Sequence, residues 1–144
     1  MSEENVEIVR QLQPAPEVDL VELFGREADA SELDAMTAAA EPAFTHDFVC
    51  IFHALSEESR PGLRGMRECW LDWLAPWESY RTEIEELIDA GDKVLVLVRD
   101  FGRLPGAEKE VNFRGGTVWT LRDSRISRAE FFVDRTGAYE AAGL

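Results

Sequence analysis

Tyr80-Arg-Thr-Glu-Ile-Glu-Glu-Leu-Ile-Asp89 opens a series of four apolar-patterned runs, continued by Lys93-Val-Leu-Val-Leu-Val-Arg-Asp-Phe-Gly-Arg103, Glu108–Leu121 and Arg125–Asp134. The breaks between them are Ala90-Gly91-Asp92, Leu104-Pro105-Gly106 and Arg122-Asp123-Ser124. These are turn residues, and each break is too short for a crossover helix. Neighbouring runs should therefore pair antiparallel as a meander and form one curved sheet. Val94-Leu95-Val96-Leu97-Val98 is apolar at both parities, so both faces of this strand must be kept from water. Helices earlier in the chain can cover one face. For the other, the sequence points to a second copy of the protein, because little chain is left to build another layer.

Upstream, Ser2 can cap a helix that carries Ile8, Val9 and Leu12 on one side and ends at Pro14 and Pro16. Val18–Phe24 has no clean period and reads as a short helical or extended insertion. Ala28–Ala40 is a helix with Asp29 or Ser31 as its cap. Phe48–Ala54 is a strand: by parity Phe48, Cys50 and Phe52 share one face, and Val49, Ile51 and His53 share the other. Leu63–Trp77 is a third helix whose broad apolar side includes Met66, Cys69, Trp70 and Trp73. Thr136–Leu144 adds one or two closing helical turns.

At 144 residues the chain reads as one domain, residues 1–144, able to bury a core without staples. Its formal net charge of -14 would repel nucleic acid and anionic lipid. No apolar run reaches the ~20 residues of a membrane span, and the first residues lack the basic and apolar parts of a signal peptide, so the expected location is the cytoplasm. Cys50 and Cys69 lie in apolar runs and are expected as buried free thiols. No histidine and carboxylate spacing suggests a metal site, and no nucleotide fingerprint is present, so no cofactor is expected.

Helices, a lone strand, another helix and a meander give an α+β class in which a bent sheet wraps around helices. Gly62-Leu-Arg-Gly-Met-Arg-Glu-Cys-Trp-Leu-Asp-Trp-Leu, Ile88-Asp-Ala-Gly-Asp-Lys-Val-Leu-Val-Leu-Val-Arg and Val118-Trp-Thr-Leu-Arg-Asp-Ser-Arg-Ile-Ser-Arg-Ala-Glu-Phe-Phe-Val-Asp-Arg carry a more specific signal. They resemble the SnoaL-like branch of the nuclear-transport-factor-two-like superfamily, which includes ketosteroid isomerase and polyketide cyclases. The resemblance covers nearly the whole chain except roughly residues 14–27. It implies a cystatin-like cone with helices on the concave face of a strongly curved antiparallel sheet, an apolar pocket between them, and commonly a homodimer through the outer sheet face. It does not imply one activity.

Set beside the ketosteroid isomerase pattern, His53 falls where that family holds its carboxylate base and would point into the cone. Thr117 falls at the position of the carboxylic-acid donor, and that of the tyrosine falls near Gln13, beside Pro14. A histidine base with an unperturbed pKa of about 6.5 suits proton transfer near neutral pH. Trp70, Trp73, Trp119 and Phe131 are expected to line the pocket, with Arg99 as a candidate pocket charge, and Arg128, Glu130 and Phe132 on the outer face. Two functions follow as expectations. One is a cofactor-independent isomerase, cyclase or dehydratase acting on a small apolar carbonyl or polyketide-like molecule; the other is a non-catalytic module that binds a small ligand or a protein. An enzyme of the first kind should present His53 to a cavity of at least ~300 Å³.

Overall fold

The computed structural model describes residues 2–144. The meander is formed as expected, by β3 (Ser79–Ala90), β4 (Lys93–Arg103), β5 (Val111–Arg122) and β6 (Arg125–Phe132), each antiparallel to the next. Gly91 (φ +82°) makes the first turn, and Asp123 and Ser124, both with positive φ, make the last. The third strand starts later than the apolar pattern suggested, because the loop opened by Pro105-Gly106 runs on to Glu110. The early strand, β1 (Phe44–Phe52), does not stand apart. It lies parallel to β6, with Cys50 opposite Ala129 and Phe52 opposite Phe131, and a two-residue β2 (Arg60–Pro61) edges it. The sheet order is β2-β1-β6-β5-β4-β3. In β3 the register shifts between Ile84 and Glu86, a bulge that leaves Glu85 unpaired and adds local bend and twist to this long strand.

The helices are α1 (Ser2–Leu12), α2 (Leu20–Phe24), α3 (Ala30–Ala40), α4 (Gly62–Leu74) and α5 (Arg135–Ala142). The ambiguous Val18–Phe24 segment resolves as α2, because the Asp19 carboxylate caps it by accepting from the Val21 amide and also accepts from the Tyr80 amide at 3.1 Å. Asp29 caps α3, as read from the sequence. Helices α1 and α4 close the concave side, where Val9, Phe48, Cys50, Phe52, Cys69, Val94, Val96, Trp119 and Ala129 form the main core. Both cysteines are free and buried there.

The convex side corrects one expectation. A second copy is not needed to shield the odd-numbered residues of β4, because α5 does so from within the chain. Leu95, Leu97 and Val118 are buried against Ala138 and Ala142. The helix can lie this close because β5 carries Gly116, where a Cβ would come within 2.8 Å of the Ala138 Cβ. Asp134 caps α5 through the Gly137 amide at 2.8 Å. Arg135 pairs with the bulged Glu85, and Lys93 Nζ donates to the Ala141 carbonyl at 2.9 Å. Among the described residues no helix is long and apolar enough to cross a membrane.

Candidate functional site

Between sheet and helices the cone is divided into two chambers by interlocked aromatic rings. Trp70 of α4 stands edge-on to Phe52 (5.0 Å between centroids, 84°) and to Phe131 (5.4 Å, 78°), and Trp119 of β5 meets Phe131 at 5.8 Å and 73°. Such edge-to-face contacts are favourable beyond the area they bury, so the partition is held by more than shape.

The larger chamber has a volume of about 180 Å³ and lies under α3. Its wall is made by Leu12, Phe24, Leu33, Met36, Thr37, Ala40, Phe44, Leu63, Met66, Arg67, Trp70 and Trp119. Arg67 is the one titratable side chain in that wall. Two wider surface clefts have walls as polar as apolar: one of about 640 Å³, beside His46, adjoins the chamber and shares Thr37, Phe44 and Leu63 with it, and one of about 610 Å³ lies beside Leu74 and Trp77.

The smaller chamber, about 30 Å³, has room for a water or two and lies at the other side of the ring partition. Trp73, Tyr80, Val98, Asp100, Thr117 and Phe131 face it. Here the structure brings in a group that the sequence pattern alone did not assign to the site. Asp100 accepts hydrogen bonds from the Tyr80 hydroxyl at 2.6 Å and the Thr82 hydroxyl at 2.5 Å, while Tyr80 and Thr82 are themselves buried. Burial pushes the Asp100 carboxyl above the ordinary carboxylate range, although the two donors pull the other way. Burial, and then the neighbouring Asp100, push the Tyr80 phenol far above its usual value. Asp100 was findable: it shares the parity of Val94, Val96 and Val98, all core-facing, and a carboxylate on that face stands out.

A raised folded-state pKa fixes a sign. The stability contributed by Asp100 is fully present below the ordinary carboxylate pKa of about 3.9 and is lost as pH rises through the higher folded value. Asp100→Asn does not titrate, so its stability relative to the natural protein should increase as pH climbs from about 4 towards neutrality. Urea titrations of both proteins across that range measure it. A relative stability that falls instead would mean that the Tyr80 and Thr82 bonds outweigh burial.

The expected residues divide as follows. Trp70 and Trp119 line the larger chamber; Trp73, Thr117 and Phe131 face the smaller one, together with Trp70. Thr117 is buried, but its hydroxyl accepts from the Trp119 indole N–H at 2.9 Å, so that N–H is already spent within the wall. Arg99 lies outside. It shares the parity of Leu95 and Leu97 on the convex face, and its guanidinium donates to Asn112 Oδ1 at 3.1 and 3.3 Å.

His53 is a second correction. Its ring does not enter the cone but lies on the convex side, stacked on Phe132 at 4.3 Å and 12°, with Nε2 3.1 Å from Glu130 Oε1. The cause is strand parity. Phe52 faces the core, so the next residue faces away, and its amide still pairs with the Phe131 carbonyl at 3.0 Å. Glu130, on that face as expected, is buried by its own chain, between His53 and Arg128 Nε at 3.3 Å. Among the described residues no group of three or more histidine, cysteine or acidic side chains is placed to hold a metal ion.

A six-stranded bent sheet with helices in its hollow is the ketosteroid isomerase-like architecture, and comparison with solved structures agrees. A protein from Jannaschia sp. CCS1 described as a SnoaL-like polyketide cyclase superposes with a TM-score of 0.65 at 20% identity, over 97% of this chain and 91% of that one. Another, from Acidithiobacillus ferrooxidans and described as a polyketide cyclase, gives 0.59 at 19% identity, over 97% and 94%. A Catenulispora acidiphila protein with a ketosteroid isomerase-like fold, solved with trimethylamine, gives 0.56 at 19%, over 75% and 82%. No curated protein matches in sequence. The model of the SnoaL-like domain matches residues 21–129, and the chain belongs to that family.

Proposed function

We propose that this chain is a ligand-binding member of the SnoaL-like family, which takes a small apolar molecule into the chamber under α3. The observation that carries this reading is the chamber's wall, apolar and aromatic on nearly every side and without any acid or base suited to proton transfer; its volume, about 180 Å³, is below the ~300 Å³ expected of an enzyme's cavity and limits it to a small ligand. Met36, 39% exposed at its rim, offers a flexible side chain that can move for an entering molecule. Of the two functions the sequence suggested, the non-catalytic one is favoured, because the imidazole meant to serve as base is on the far side of the sheet.

The test is direct. Methyl naphthoate, a flat neutral probe, should raise the melting temperature of the natural protein, since a ligand at a hundred times its Kd adds about 2.7 kcal/mol to stability. Ala40→Phe, which puts a ring into the chamber from the end of α3, should fold and lose that response. A response equal in both proteins would place the probe elsewhere.

A second reading rests on Asp100. A carboxyl held by Tyr80 and Thr82 beside a void is equipped to exchange a proton with a carbonyl compound's α-carbon. In this reading the protein is a cofactor-independent isomerase or cyclase, and the substrate must displace the Trp70 and Phe131 rings to reach the carboxyl.

A further inference from the structure

Arg67 is the feature that neither reading uses. It stands on α4 among Met66, Trp70, Leu63 and Met36, in the wall of the larger chamber, and its Nη1 is buried with no hydrogen-bond partner among the described residues. Nor does it form an ion pair with any described residue, although the chain carries 29 acidic side chains against 15 basic ones and nine arginine–carboxylate pairs form elsewhere. A guanidinium is always charged and has five donors in a fixed fork. Leaving one of its N–H groups buried and unmet costs the desolvation of that group, an arrangement that persists when something else meets it. In an acidic protein with many available carboxylates, an unmet donor on a residue that lines an apolar chamber marks the polar end of what the chamber holds.

We infer that the chamber takes a flat apolar acid, whose carboxylate is bound by Arg67 while its ring system lies between Trp70, Trp119, Phe44 and Met66. The inference rests on the ligand-binding reading and adds the chemical class. The net charge of -14 opposes an anion only at long range, where physiological salt screens it beyond ~8 Å. Inside the chamber the nearest fixed charge is the guanidinium itself, and an Arg–carboxylate pair is short, directional and often bidentate.

The experiment compares naphthoate with its neutral methyl ester, on the natural protein, Arg67→Met and Arg67→Gln, by calorimetry and tryptophan fluorescence. The natural protein should bind naphthoate at least roughly tenfold more tightly than the ester, as a charge-assisted hydrogen bond allows. Both variants should lose the preference and bind the two probes alike; Arg67→Gln keeps a polar group of similar length should the methionine variant fold poorly. Equal binding of both probes by the natural protein, or a preference that survives in the variants, would overturn the role of Arg67 and leave the chamber's reading intact. If neither probe binds, the ligand-binding reading falls, and this inference with it.

Discussion

A chain ending at Asp134 is expected to lose most of its stability. Helix α5 is the cover for Leu95, Leu97 and Val118, each at most 3% exposed, and fully burying an aliphatic side chain is worth ~1.5–3 kcal/mol. Even with those three only partly uncovered, the loss is on the order of 5 kcal/mol, against a total of about 5–15 for an ordinary domain. The truncated chain also gives up the Arg135–Glu85 pair and the Lys93 bond to Ala141, although exposed ion pairs add little beside the apolar term. The expected result in urea denaturation is a midpoint near zero or an aggregated product, since a bared apolar sheet face is sticky. A midpoint close to that of the full chain would mean that α5 covers nothing of consequence.

The second large effect is at Trp70. Its ring belongs to both chambers and touches Phe24, Phe52 and Phe131, so Trp70→Ala should cost about 3–5 kcal/mol, the usual toll for an aromatic cut back inside a core. It should also join the two chambers into one. The variant is expected to accept bulkier aromatic esters than the natural protein does, with a ligand-induced rise in melting temperature that partly restores the lost stability. An unchanged size limit would show that Phe52 and Phe131 collapse into the space and keep the partition closed.

Much of this architecture could be read before any coordinates. The meander followed from three breaks too short for anything but turns, and the helix caps at Asp29 and the prolines after α1 follow from local chemistry. The dependence of β4 on a cover for both faces was also legible, from Val94–Val98. What covered the second face was not, because eight residues with the pattern Arg-Thr-Gly-Ala-Tyr-Glu-Ala-Ala do not look like a layer. They suffice because Gly116 lets small alanines sit on the sheet.

The site was less legible, and His53 shows why. Period-two alternation put it on the face opposite Phe48, Cys50 and Phe52, whereas the family pattern put it inside; the structure sides with alternation, since one step along a strand reverses the side chain. The same rule would have selected Asp100 from its neighbours Val96 and Val98. Arg67 was legible only in part. Helical spacing separates the arginines at positions 64 and 67, since Arg67 lies four residues after Leu63 and three before Trp70 at the edge of the apolar side, but it does not show that a cavity lies there.

The claim on which the rest depends is that the hollow under α3, bounded by Trp70 and Trp119, is where a ligand goes. The chain has four tryptophans, and their indole N–H resonances can be followed separately by heteronuclear NMR during a titration with methyl naphthoate. The account predicts that the Trp70 and Trp119 signals move together and saturate at one affinity, while that of Trp77, outside both chambers, stays in place. A spectrum in which neither Trp70 nor Trp119 moves, or in which Trp77 alone responds, would contradict it.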